Sequence, residues 1–144
     1  ACVEQKTSQS EKAFGMMESY PLLNSVISGN GIQIKGVPFI ETTNWDVQND
    51  SIAFNFCYPI VKTDSLPSIK DIVYKEFNGK KSLKAIYHGN YMTSDRAWYA
   101  LLDYAQRNNI EIDKKPIEFF FNNPNIGGNA LRWKAEVFMP ISIK

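Results

Sequence analysis

Glu136 stands in the apolar stretch Ala135-Glu136-Val137-Phe138. Desolvation disfavours a charged carboxyl in such company, so it needs water, a cation or a hydrogen-bond donor. Two readings follow: a solvated or salt-bridged strand glutamate, with neighbouring Lys134 as its partner, or a carboxylate that meets a cationic ligand. Aromatic surface would suit the second, and nine Phe, seven Tyr and three Trp make up 13% of the chain. A ring face within ~6 Å attracts positive charge by about 0.5 to 2 kcal/mol. Phe120, Tyr91 and Trp98 are the aromatic candidates, and each has a structural alternative. Phe120 also suits a core layer, Tyr91 suits a corner whose phenol ties the loop, and Trp98 begins an apolar helix stripe. Trp45 and Trp133, near strand ends, read as structural.

Other chemistry is poorly served. His88 is the sole histidine, and no Ser, His and acid constellation or metal-ligand spacing surrounds it. Gly127-Gly128 reads as a turn, not a phosphate cradle, since no helical pattern follows. No catalytic residue, metal or cofactor is assigned.

The elements that would position Glu136 emerge from an internal repeat. Ser10-Glu11-Lys12-Ala13-Phe14 is echoed by Ser94-Asp95-Arg96-Ala97-Trp98 at a shift of 84 (Ala13 to Ala97), which Tyr20 and Tyr104 keep. Pro38 and Asn44 meet Pro116 and Asn122 at a shift of 78, and Phe56 to Ile60 answers Val137 to Ile141 at a shift of 81. Each copy reads as strand, helix, strand, strand. In the second copy the strand is Leu83 to Gly89. The helix has Ser94 as N-cap, carries Trp98, Leu101, Leu102 and Ala105 on one face, and ends near Asn108-Asn109. A strand from Pro116 to Phe121 follows, then a turn over Asn122 to Gly128, then a last strand from Leu131 to Ile141. The first copy gives strands near Cys2 to Lys6, Val37 to Thr43 and Ser51 to Val61, with a helix from about Gln9. Pro21 predicts a kink or a break in that helix near Tyr20. Ile69 to Phe77 reads as an extra strand, turning at Asn78-Gly79 into Leu83. The expected organisation is one α+β domain over residues 1–144, with a first repeat over about 1–61, a linking strand over about 69–77 and a second repeat over about 83–144.

Strand alternation then sorts the faces. Phe54, Phe56 and Tyr58 map at the shift of 81 onto Ala135, Val137 and Met139, the face for packing on helices. Lys134, Glu136 and Phe138 occupy the opposite face, and Asn55 is the counterpart of Glu136. Two halves related by a pseudo-twofold axis would make a groove at their junction, with Asn55 and Glu136 pointing toward it. Phe120 shares a strand face with Glu118, opposite Ile117, Phe119 and Phe121, and is placed within reach of that groove.

Composition narrows the function. With 144 residues, 44% hydrophobic and 22% charged, the chain is globular. Sixteen Lys plus Arg against fifteen Asp plus Glu leave a net charge of +1, and no basic stripe argues for direct nucleic acid binding. No apolar run reaches the ~20 residues of a membrane span. Cys2 and Cys57 are not a disulfide framework or a CxxC pair, so reduced thiols and a cytoplasmic setting are expected. The opening on Ala1 instead of Met suggests a part of a larger protein.

Together, Tyr87-His88-Gly89-Asn90-Tyr91, Ala97-Trp98, Pro116 to Pro124 and Ala135-Glu136-Val137-Phe138-Met139-Pro140-Ile141 resemble the GyrI-like small-molecule-binding domain. That domain is the effector-binding part of many bacterial AraC-type and MerR-type multidrug regulators. The match is strongest over the second copy. The resemblance implies paired strand-helix-strand-strand modules with antiparallel sheets and a central groove, where a glutamate matched by Glu136 faces cationic, lipophilic compounds. Tyr91 matches the tyrosine of a Gly-Pro-Tyr corner whose proline is here Asn90, and Phe120 replaces a tyrosine common in the family. The expected function is binding of amphipathic, cationic small molecules for sensing or sequestration, in transcription regulation through a homodimer or a fused DNA-binding domain. The alternatives are hydrolysis of reactive electrophilic toxins, with Glu136 and Tyr91 as acid or base, and a protein-interaction module.

Overall fold

The computed structural model describes residues 1–63, 66–76, 81–122, 129 and 132–142. The fold is α+β, with two helices and antiparallel strand pairing. The chain divides into two compact units, Ala1–Phe77 and Asn78–Lys144. Among the described residues, no helix is long and apolar enough to cross a membrane.

The first unit runs β1 (Cys2–Ser8), a 3-10 turn (Gln9–Glu11), α1 (Lys12–Gly29), β2 (Phe39–Asp46) and β3 (Ser51–Cys57). β3 lies between β1 and β2, antiparallel to both, with an irregularity between Thr42 and Asn44. Ala13, Met16, Leu23 and Ile27 turn α1 onto the sheet, burying apolar surface against Phe54 and its neighbours. Gly15 permits that approach, since a Cβ there would sit 3.3 Å from the Phe54 ring. Helix α1 runs unbroken through Pro21, contrary to the expected break. The proline denies the Met17 carbonyl its helical donor, but Met17 and Pro21 are exposed, so water can take the freed oxygen.

Two further expectations are corrected in this unit. Cys2 and Cys57 form a disulfide instead of remaining reduced. They face each other directly in the β1–β3 register with Cα atoms 4.1 Å apart, and the cytoplasmic setting loses the support drawn from free thiols. The segment 69–76 is not a strand leading into Leu83. Val73 makes an isolated bridge with Cys2, donating and accepting backbone hydrogen bonds of 2.9 and 2.8 Å. A turn from Ile69 to Ile72, with Asp71 at φ 68°, prevents a longer ladder. The Asn78-Gly79 turn lies outside the described residues.

The second unit runs β4 (Ser82–His88), a 3-10 turn (Tyr91–Thr93), α2 (Asp95–Arg107), β5 (Ile117–Phe120) and β6 (Lys134–Pro140). β6 lies between β4 and β5, antiparallel to both. The spacing that predicts an amphipathic helix agrees with the burial of Ala97, Trp98, Leu101 and Ala105. Ser94 directly precedes α2, but its hydroxyl donates to the Tyr91 carbonyl at 3.1 Å instead of capping the helix. Most of the turn expected after Asn122 lies outside the described residues.

Candidate functional site

Alternation along β6 gives the second unit two distinct faces. Ala135, Val137 and Met139 are fully buried on the α2 side, as the strand register predicts. Glu136 points the other way, its side chain 15% exposed. It is flanked across the strands by Ile86 of β4 and Phe119 of β5. Lys84 reaches it diagonally from β4, with Nζ 3.0 Å from one carboxylate oxygen, and Lys134 lies 3.9 Å from the other. The strand glutamate thus has cations of its own, one of them the Lys134 that the sequence suggested.

Aromatic rings complete this face. Phe119 and Phe138 meet edge to face at 5.7 Å. The Lys84 ammonium lies 5.6 Å from the centroid of Phe138, and that of Lys134 lies 4.8 Å from the centroid of Phe121. Each lysine therefore combines a carboxylate with a ring quadrupole. An apolar molecule bearing positive charge finds the same two features here. Ile86, 54% exposed, leaves apolar surface open beside Glu136.

The other three candidates of this unit gather on the opposite, α2-facing side. Phe120 is 4% exposed and pairs with Ala135, so the ring adjoining Glu136 is that of Phe119. The sequence shows that Phe119 and Phe120 differ in face, but only the pairing of β5 with β6 decides which of them accompanies Glu136. Tyr91 is buried, with its ring 4.8 Å from Phe120 and 5.4 Å from Trp133. Its hydroxyl donates to the Lys134 carbonyl and accepts from the Asn122 amide at 3.1 Å. Burial above all holds the phenol above its ordinary range, with the Glu118 charge adding to it and the Asn122 hydrogen bond opposing it. Tyr91 thereby stays neutral and ties β6 to the end of β5.

Asn90 organises the corner at the position where the resemblance calls for a proline. Its side chain accepts from the Met92 amide at 2.9 Å, and its carbonyl accepts from the Tyr87 hydroxyl at 2.8 Å. Gly89 precedes it at φ +143°, and a Cβ there would lie 2.9 Å from the Tyr87 hydroxyl. Trp98 is fully buried and donates its indole N–H to Glu118 at 2.9 Å. Glu118, also fully buried, is a carboxylate that sequence reasoning did not single out. The strand face it shares with Phe120 and the helical position of Trp98 were legible, but the meeting of Trp98 with Glu118 was not.

Asn55 belongs to the first unit. It is 6% exposed and donates its side-chain amide to Glu41 at 3.1 Å. The same Glu41 oxygen accepts from Lys75 at 2.6 Å. Glu41 stands opposite Asn55 as Phe119 stands opposite Glu136. Away from these faces, an open hollow of about 590 Å³ lies at the C-terminal end of α2, against Leu102, Ala105, Ile110 and Ile112. None of the residues around Glu136 lines it. Among the described residues, no group of three His, Cys, Asp or Glu is disposed to hold a metal ion.

No family model and no curated protein sequence matches the chain, but solved structures do. The C-terminal domain of EcmrR superimposes with a TM-score of 0.79 at 13% identity, covering 99% of this chain and 91% of that one. EcmrR in a cryo-EM complex with DNA, EcmrR-RPo, gives 0.78 at 14% identity, over 99% of this chain and 53% of that one. The chain thus spans about half the length of that EcmrR chain. An uncharacterized conserved protein and a protein described as a hydrolase, both from Listeria innocua, give 0.62 and 0.58 at 9% identity, each over 98% of this chain and 86% of the other. Identities this low speak to the fold alone. The likeness is consistent with the resemblance to GyrI-like effector-binding domains.

Proposed function

We propose that the chain is the small-molecule-binding part of a MerR-type regulator, and that its ligand is an amphipathic cation resting on the Glu136 face of the second unit. The observation that carries this reading is a carboxylate 15% exposed, placed between Ile86 and Phe119 with Phe138 on the same face. Such a site offers a charge partner and apolar surface within one molecule's reach. The likeness to the EcmrR C-terminal domain supports the regulator reading, in which a DNA-binding domain is fused to this one or reached through a homodimer. The shared order of strand, helix, strand and strand in the two units supports an internal duplication, with Asn55 as the first unit's counterpart of Glu136. Tyr91, Phe120 and Trp98 serve the site from behind, by fixing β5 and β6.

Isothermal titration with methyltriphenylphosphonium, a lipophilic cation without hydrogen-bond donors, tests the reading. Glu136→Gln keeps the shape and removes the charge. It should weaken binding by about 2 kcal/mol, the low end for truncating a buried charge pair because the site is partly wet. Equal binding by the variant and the parent would remove Glu136 from the site.

A further inference from the structure

The Glu136 carboxylate carries positive charge before any ligand arrives. Both described cations on it come from the chain itself, Lys84 at 3.0 Å and Lys134 at 3.9 Å. A cationic ligand must therefore take the place of an ammonium group. We infer that Lys84 is an internal competitor, a latch that occupies Glu136 and sets which cations displace it. This rests on the reading of the Glu136 face as the ligand site.

Three observations carry the inference. First, exposure is asymmetric: the Lys84 side chain is 47% exposed and that of Glu136 only 15%. Lys84 can swing its ammonium into water at small cost, since a half-wet ion pair is weak and its release restores rotamer freedom. Glu136 sits mid-strand beneath it and stays where it is. Second, Lys84 bridges both features that a lipophilic cation would use, the carboxylate and the Phe138 ring 5.6 Å away. Its departure uncovers the two together.

Third, the first unit shows a carboxylate held more completely. Glu41 accepts Lys75 at 2.6 Å and the Asn55 amide at 3.1 Å on one oxygen. That amide is on a residue 6% exposed and is fixed in the sheet. Among the described residues, Glu136 is met by ammonium groups alone, both on flexible stems. Of the two carboxylates, Glu136 is the one whose partners can all be exchanged.

Displacement also explains selection. An ion without apolar surface gains only the carboxylate, which Lys84 already occupies from a tethered position. A cation with flat aromatic groups gains Ile86, Phe119 and Phe138 as well, and so outcompetes the lysine. Once released, the Lys84 charge moves into solvent, where salt screens it within about 8 Å.

The test is titration of methyltriphenylphosphonium and of neutral triphenylphosphine oxide into the parent, Lys84→Met and Lys84→Arg. Methionine keeps an apolar stem over Phe138 and removes the ammonium, so it should tighten phosphonium binding roughly two- to fivefold. Arginine, which engages a carboxylate through two N–H groups, should weaken it. Binding of the neutral oxide should be the same in all three. In a Glu136→Gln background, Lys84→Met should have no effect on phosphonium affinity. Equal phosphonium binding by the parent and Lys84→Met would overturn the latch and leave the binding site standing. Parallel gains for the cation and the neutral oxide would also overturn it, as a change in apolar contact alone. No binding of the phosphonium by any form would overturn the site and the latch together.

Discussion

Breaking the Cys2–Cys57 disulfide should cost a large part of the chain's stability. The bridge joins residues separated by 55 positions. For a loop of that length, the chain-entropy relation gives about 14 cal/mol/K removed from the unfolded ensemble, or about 4 kcal/mol at 25 °C. Proteins of this size melt roughly 2 to 4 °C lower for each kcal/mol lost, so full reduction should lower Tm by about 10 °C. Both cysteines are buried, at 0% and 1% exposure, and a reductant will reach them only when β1 and β3 part. The parent is therefore unfolded, reduced with a phosphine and refolded under reductant, and its urea and thermal transitions are compared with those of the oxidised form. Thiol titration in denaturant should find no free thiol before reduction and two afterward. Two free thiols before reduction, or transitions that coincide in the two forms, would refute the reasoning.

Other perturbations probe the second unit. Trp98→Phe removes the buried indole donor to Glu118 and should destabilise by about 3 kcal/mol in urea unfolding. A double-mutant cycle with Glu118→Gln should show coupling above about 1 kcal/mol. Gly89→Ala places a Cβ 2.9 Å from the Tyr87 hydroxyl at φ +143°, for a loss of about 2 kcal/mol that Tyr87→Phe relieves only in part. Tyr91 keeps its proton to higher pH when folded than when unfolded. Its contribution is thus complete below about pH 10, the unfolded value, and declines as pH rises through the folded value. The urea midpoint of the parent should fall more steeply above pH 10 than that of Tyr91→Phe, and matching slopes would deny the phenol its role.

Local pattern made much of this molecule legible. Trp98, Leu101 and Ala105 recur at helical spacing and all are buried, because a helix repeats within its own chain. Glu136 alternates with Ala135 and Val137, which told its face apart from the core before any neighbour was known. Pro21 does not break α1, since the effect of a helical proline depends on whether the freed carbonyl meets water or protein, and sequence does not state exposure.

What tertiary structure decided was always a matter of pairing. Antiparallel register brought Lys84 diagonally to Glu136, set Phe119 beside it in place of Phe120, and laid Cys2 against Cys57. It also took Val73 to β1 and not into a hairpin with Leu83. Glu136 was marked in the sequence as a charge in need of a partner, because side-chain chemistry and period-two alternation are local properties. Its partner was settled only by the alignment of β4 with β6, strands whose starting residues lie 52 positions apart in the sequence, Ser82 and Lys134. A shift of one residue in that alignment would have turned Lys84 to the other face.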